Sequence, residues 1–143
     1  MNNFRHALTL FTLVLCVTVT QLAMAHGDQA TDNAVAVAPL LTQLPADLAG
    51  KRITMVEVTY PPGSSFQAHR HPGSVLVYVA SGEIRSQLDT DEEPVTYKAG
   101  EVWYESPNAR HVYSENPSAT VPAKLIAILI GDDGAELVLP DDH

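Results

Sequence analysis

From Arg52 onward the sequence consists of short runs of β-forming residues, each ended by glycine or proline. The predicted strands cover residues 53–60, 75–80, 83–88, 95–98, 102–105, 111–115 and 124–130. The turns between them contain Pro61-Pro62-Gly63, Pro72-Gly73, Ser81-Gly82, Ala99-Gly100, Pro107-Asn108 and Gly131. These turns leave no room for a long helix. The pattern therefore predicts an all-β sandwich or antiparallel barrel.

Two of the predicted strands, 75–80 and 124–130, are apolar almost throughout. A strand that is apolar on both faces needs cover on both faces. Either the N-terminal segment or a second subunit must supply that cover. We expect a homodimer in which one apolar sheet face is buried between the subunits.

Residues 1–25 have the three parts of a secretory signal peptide. Arg5 gives a positive start, residues 7–19 form an uncharged apolar run, and Ala23-Met24-Ala25 has the small-x-small pattern of a cleavage site. The alternative is a membrane anchor, but the apolar run is shorter than the roughly 20 residues that span hydrocarbon. We expect cleavage after Ala25, a periplasmic or secreted location, and no membrane span in the mature protein.

Cleavage would leave residues 26–143, which are enough for one domain. Residues 26–50 are interpreted as an N-terminal arm, loosely docked up to about residue 38 and then carrying a short leucine cluster that would cover a barrel end. Residues 51–143 are interpreted as the barrel domain. The only cysteine, Cys16, would leave with the signal peptide. Disulfides, thiolate metal sites and thiol catalysis are then excluded.

The mature chain would be strongly acidic. Removing residues 1–25 takes away only Arg5 among the charged residues, so seven basic side chains face seventeen acidic ones, a net charge of −10 with histidine neutral. Nucleic acids and anionic membranes require clustered lysine and arginine. Both are therefore excluded as expected partners.

The residues most informative about chemistry are His69, His71 and, forty residues later, His111. Residues two apart on a strand share a face, so His69 and His71 can reach one ion. Three imidazoles with open positions suit a reactive site for a divalent transition metal. A His-x-His pair alone is equally compatible with histidines that are merely exposed or packed in a core.

The surroundings of these histidines resemble the cupin superfamily, whose motifs are G-x5-H-x-H-x3,4-E-x6-G and G-x5-P-x-G-x2-H-x3-N. The first motif is matched by Gly63, His69, His71 and Gly82, and the second by Gly100 and His111. The resemblance spans about residues 63–116. It implies a cupin-type antiparallel β-barrel, a double-stranded β-helix of jelly-roll type. It also implies a divalent metal (Fe, Mn, Ni, Cu or Zn) on His69, His71 and His111.

Several positions depart from the motifs. The first-motif glutamate falls at Val75 or Leu76, the second-motif proline is displaced to Pro107, its glycine is Asn108, and its final asparagine is displaced to Asn116. Asparagine adopts left-handed backbone conformations more readily than most residues, so Asn108 is a tolerable substitute. The lost glutamate matters more, because in the family it usually completes a shell of three histidines and one carboxylate.

Four residues are candidates for the missing ligand or for the pocket around it. Gln67 precedes His69 by two residues and would share its face on a regular strand, and Tyr113 follows His111 by two residues and would share its face in the same way. The other two candidates are Tyr104 and Glu105. The alternative for each is an ordinary packed or solvated side chain.

Two functions fit these observations. The resemblance implies a metal-dependent oxidoreductase, with dioxygenase chemistry on a small organic substrate as the leading expectation; no catalytic acid or base can be named. The alternative is a non-catalytic module of the cell envelope that captures a small ligand or a metal. Three neutral imidazoles would leave a divalent ion its full charge, so we expect an anionic ligand.

Overall fold

The computed structural model describes residues 33–141, which form eleven strands and no helix. The strands are β1 (Ala36–Gln43), β2 (Lys51–Tyr60), β3 (Ser65–Phe66), β4 (His69–Arg70), β5 (Ser74–Ser81), β6 (Glu83–Leu88), β7 (Val95–Lys98), β8 (Val102–Glu105), β9 (Arg110–Glu115), β10 (Ala123–Asp132) and β11 (Leu139–Pro140). The signal peptide expected over residues 1–25 lies outside the described residues. Within residues 33–141 there is no helix that could cross a membrane.

The strands form two antiparallel sheets that face each other. One has the order β1-β2-β10-β5-β8, and the other has the order β11-β4-β9-β6-β7 with β3 beside β9. Along β2 and β10 buried and partly exposed residues alternate, as expected for sheets with one face on a core. Val58, Val77, Ile84 and Leu125 belong to that core. The predicted all-β antiparallel architecture is confirmed.

The predicted strands 83–88, 95–98 and 102–105 coincide with β6, β7 and β8. Each of the other four observed strands is longer than its prediction by one to three residues. The interpretation of residues 26–50 as an N-terminal arm, loosely docked up to about residue 38 and then covering a barrel end with its leucines, is wrong in part. The four leucines of this segment are 42–56% exposed. Residues 36–43 form β1, which pairs with β2 at the edge of the five-stranded sheet. All eight residues of β1 are exposed, so its sequence lacks the alternation by which a strand is recognised.

The outer face of the five-stranded sheet is apolar at β5 and β8. Val75, Val77 and Val79 point inward and are buried, whereas Leu76 and Tyr78 between them are each 46% exposed. The described part of the arm joins the far edge of this sheet, next to β2, and does not cover β5.

Candidate metal centre

Two strands and one turn bring the three predicted histidines together. His69 on β4 lies directly opposite His111 on β9, and their ring centroids are 5.0 Å apart. His71 follows β4, and its Nε2 lies 3.2 Å from Nε2 of His69. His69 and His111 are buried, at 6% and 4% exposure. The expectation that His69 and His71 share a face therefore agrees with the structure.

The backbone fixes which nitrogens of His69 and His71 carry hydrogen. Nδ1 of His69 is 2.8 Å from the carbonyl oxygen of Gln67, and Nδ1 of His71 is 2.6 Å from that of Leu137. A carbonyl oxygen only accepts, so both Nδ1 atoms donate. In the neutral rings both Nε2 atoms then bear lone pairs, and these face each other. Burial lowers the pKa of both histidines, which opposes protonation of either one.

Glu105 places a carboxylate beside these rings. It lies on β8 directly opposite Val75, one of the two positions where the family motif has its glutamate. Its Oε1 accepts a hydrogen bond of 2.9 Å from Nε1 of Trp103, and its Oε2 lies 3.7 Å from Nε2 of His71. Oε2 is buried without a hydrogen-bond partner. Burial raises the pKa of Glu105, because an unpaired charge is unfavourable away from water.

His111 has a different orientation from the other two histidines. Its Nε2 is 2.8 Å from Oγ of Ser86, and its Nδ1 is 3.4 Å from Oε1 of Glu105. Burial lowers its pKa to about 3, and the neighbouring His69 and His71 add to the effect. Within residues 33–141, no group of three or more His, Cys, Asp or Glu side chains is arranged so that it could hold a metal as it stands. Recruiting His111 requires its ring to turn from Ser86 or to use Nδ1.

Two of the candidates chosen by strand parity lie away from the cluster. Gln67 is exposed and falls in the break between β3 and β4, so it does not share the face of His69. Tyr113 lies beyond an irregularity in the pairing of β6 with β9, and its ring packs under the guanidinium of Arg85 at 5.2 Å. Both expectations assumed a regular strand, and the chain is irregular at both places.

The side chains of Tyr104 and Glu105 point to opposite faces of the sheet, as those of neighbours on a strand do. Tyr104 is 52% exposed on the outer face, and its hydroxyl is 2.9 Å from Oγ of Ser74. Glu105 is 3% exposed and points inward. Of the four candidates, only Glu105 has its side chain beside the histidines.

The hydrogen-bonding partners Trp103 and Ser86 were missed. Trp103 shares a face of β8 with Glu105, two residues away, so the alternation of the strand could have indicated it. Ser86 is brought to His111 by the pairing of β6 with β9, which has no local signal.

The displaced second-motif positions have structural roles. Asn108 has a φ of 62°, in the left-handed region that its motif glycine would favour, and its backbone N–H donates to the carbonyl oxygen of His71 at 2.7 Å. Asn116 is 1% exposed, and its Nδ2 donates to the carbonyl oxygens of Tyr60, Pro61 and Val121. These two residues thus hold the loops around the site.

The histidines and Glu105 open onto an internal cavity of about 110 Å³. Most of its wall is apolar, and β2, β5 and β10 contribute seven of the apolar side chains. The hydroxyls of Tyr60 and Ser114 also line it and lie 2.7 Å apart. The cavity is therefore polar at the histidine end and apolar over most of the remaining wall.

The fold and the cavity define a double-stranded β-helix with histidines inside the barrel. Residues 56–129, more than half of the chain, match the family model described as the cupin domain. This protein belongs to the cupin family. A comparison with curated proteins finds no match.

Solved structures share this fold. One is an uncharacterised conserved protein with a double-stranded β-helix domain from Klebsiella pneumoniae, 17% identical, TM-score 0.60, covering 78% of this chain and 89% of that one. Another is an RmlC-like cupin from Methanocaldococcus jannaschii, 17% identical, TM-score 0.57, covering 73% and 86%. A third is a predicted oxalate decarboxylase from Thermotoga maritima, 28% identical, TM-score 0.55, covering 67% and 79%.

Proposed function

We propose that this cupin binds a divalent transition metal through His69, His71 and His111, with Glu105 as the fourth ligand. The observation that carries the proposal is the pair of facing Nε2 lone pairs on His69 and His71, 3.2 Å apart with both Nδ1 hydrogens engaged by carbonyls. Two lone pairs repel at this distance unless a cation lies between them. Protein metal sites commonly orient histidine ligands by such Nδ1 hydrogen bonds.

The facing nitrogens of His69 and His71 suit a metal in spacing, and the buried carboxylate of Glu105 suits it in charge. Two imidazoles each about 2.0–2.1 Å from one ion have nitrogens about 2.9–3.4 Å apart, depending on the coordination angle. The distance of 3.2 Å between the Nε2 atoms falls within this range. A cation would also satisfy Oε2 of Glu105, which is buried without a hydrogen-bond partner. Imidazole and carboxylate together suit Fe, Mn, Ni, Cu and Zn.

The second part of the proposal is that the cavity receives a small organic ligand at the metal. When bound, such an ion supplies Lewis-acid or redox chemistry at its open positions. Trp103 holds one oxygen of Glu105, and the apolar walls exclude water around the ligand. Metal-dependent oxidation of a small substrate, with dioxygenase chemistry first, is the reaction class we propose. The likeness to the predicted oxalate decarboxylase supports a small organic acid as the ligand.

The carboxylate of Glu105 lowers the net charge expected for the loaded metal site. One carboxylate cancels part of the ion's charge, so three neutral histidines and Glu105 leave a divalent site at about +1 rather than +2. A monoanionic ligand then neutralises the site. We also propose that the protein acts outside the cytoplasm, which rests on the signal-peptide pattern of residues 1–25.

The test is metal titration of the full chain by calorimetry after chelator treatment, with Zn²⁺ as the probe. We expect one ion per chain. Glu105→Gln should weaken binding at least about tenfold, whereas Glu83→Gln, a matched change of an exposed carboxylate, should not. Absence of stoichiometric Zn²⁺ binding would overturn the proposal. Equal Zn²⁺ affinities of the wild type and Glu105→Gln would show that Glu105 is not a ligand.

Catalysis needs a separate measurement. The protein loaded with Fe²⁺ or Mn²⁺ is screened for oxygen consumption with small organic acids, using His69→Gln as the control. Uptake that requires His69 supports the oxidoreductase. Ligand binding without turnover would instead identify the non-catalytic binding module.

A further inference from the structure

The middle of the five-stranded sheet presents a small side chain to the cavity. Ala127 lies at the centre of β10, opposite Val56 on β2 and Val77 on β5. All three line the cavity. A larger residue at position 127 would fill space that the valines on either side leave open.

The cavity wall offers few partners for a second polar group on a ligand. Within residues 33–141, no lysine or arginine lines it. The hydroxyls of Tyr60 and Ser114 form one hydrogen bond with each other, which leaves one O–H donor between them, and the indole N–H of Trp103 donates to Glu105. The remaining polar atoms are those of the histidine and glutamate cluster. A ligand therefore meets polar groups at one end and apolar side chains along the rest of its length.

The mouth of the cavity has the same apolar character as its walls. Val37, Leu137 and Val138 line the cavity and are 53%, 36% and 38% exposed. Exposed apolar residues that continue an apolar interior are typical of a ligand entrance. The entrance thus favours a ligand that brings an apolar surface with it.

We propose that this cavity selects a small monoanion with one carboxylate head at the histidines and a short, branched hydrocarbon body. An apolar cavity of about 150 Å³ holds benzene, so a cavity of about 110 Å³ that also receives the carboxylate head leaves room for a body of no more than about four carbon atoms. Longer dicarboxylates, whose second carboxylate would lie among the apolar walls away from the metal, are rejected because no lysine or arginine of residues 33–141 meets that group there. The binding of the carboxylate head depends on the proposed metal function, whereas the binding of the apolar body does not.

The experiment compares three carboxylates on the Zn²⁺-loaded full chain by calorimetry: acetate, 3-methylbutanoate and 3-hydroxybutanoate. 3-Methylbutanoate has three more carbons than acetate. At about fourfold per buried carbon, it should bind about sixtyfold more tightly. 3-Hydroxybutanoate has the same number of non-hydrogen atoms, with a hydroxyl in place of one methyl. It should bind at least about tenfold more weakly than 3-methylbutanoate, because the hydroxyl loses its hydration among side chains that are mostly apolar. Equal affinities for all three would overturn the proposal.

Cavity-filling variants test whether the hydrocarbon body of the ligand binds in this cavity. Ala127→Leu should lower the affinity for 3-methylbutanoate at least about tenfold and leave acetate unchanged, because acetate occupies only the head-group end. If Ala127→Leu does not fold, as judged by lost acetate and Zn²⁺ binding, Ala127→Val should give a smaller loss in the same direction. Undiminished 3-methylbutanoate binding in a folded variant would show that the ligand lies elsewhere.

A neutral probe separates this proposal from the metal proposal. 3-Methylbutan-1-ol is added to the chelator-treated protein, and the thermal midpoint is followed. We expect a concentration-dependent rise in the wild type and none in Ala127→Leu, whether or not the protein binds metal. A metal-loaded protein that binds acetate, yet shows no gain from the hydrocarbon body and no rise with the alcohol, would refute the cavity proposal alone.

Discussion

Acid should destabilise the metal-free protein in a way that depends on His111. The folded protein holds His111 neutral down to a pKa of about 3, whereas the unfolded chain binds a proton at the ordinary value of 6.5. Between these two pH values the unfolded state binds more protons, so stability falls as the pH falls. The contribution is fully present above pH 6.5 and is lost toward pH 3.

The magnitude follows from these two pKa values. One pH unit within this window is worth about 1.4 kcal/mol for one group. Between pH 7 and pH 4.5 the contribution of His111 to the free energy of unfolding should fall by about 2.5 kcal/mol. The lowered pKa values of His69 and His71 act in the same direction. The raised pKa of Glu105 acts in the opposite direction, because it contributes stability below pH 4.5 that is lost as the pH rises.

The assay is urea unfolding of the chelator-treated protein at several pH values, in the wild type and in His111→Gln. The amide of the variant can still contact Ser86 but does not titrate. Since the other groups are common to both proteins, the wild type should lose about 2.5 kcal/mol more than the variant between pH 7 and pH 4.5. Parallel pH profiles would refute the argument that burial holds His111 neutral.

Three further predictions concern the metal shell, the assembly and the N-terminus. Trp103→Phe should weaken Zn²⁺ binding about tenfold by calorimetry, because one oxygen of Glu105 loses its hydrogen-bond donor. Unchanged affinity would show that the indole does not support the metal ligand. Light scattering should give a homodimer. Leu76→Lys on the outer face should make it monomeric, whereas Val95→Lys, at an exposed apolar position on the other sheet, should not. A wild-type monomer would contradict this prediction. Mass spectrometry of protein recovered from a bacterial periplasm should find a chain that begins at His26; an intact N-terminus there would contradict cleavage.

Local patterns were sufficient to predict most of the fold. Turn residues and alternation located seven strands, because these signals lie within a few residues of each other. Strands β3, β4 and β11 have only two residues each, too few for a period. β1 was missed because it is exposed along its whole length. Its place in the sheet comes from backbone pairing with β2 rather than from a buried face.

The candidate site was predictable only where the chain is regular. The spacing of His69 and His71 was enough to place them together, but the same parity argument failed for Gln67 and Tyr113, where a break and a bulge reset the alternation. Glu105 could be ranked above the others only from the register of β5 with β8, which places it opposite Val75. That register is set by contacts between distant parts of the chain and has no local signature.

The most direct test of the three-histidine metal site is X-ray absorption at the zinc edge of the Zn²⁺-loaded full chain. We predict nitrogen and oxygen neighbours at about 2.0–2.2 Å, with outer scattering from three imidazoles that falls to two in His111→Gln. Protein that loses Zn²⁺ on dialysis, or a shell without imidazole scattering, would show that the histidines do not form a metal site.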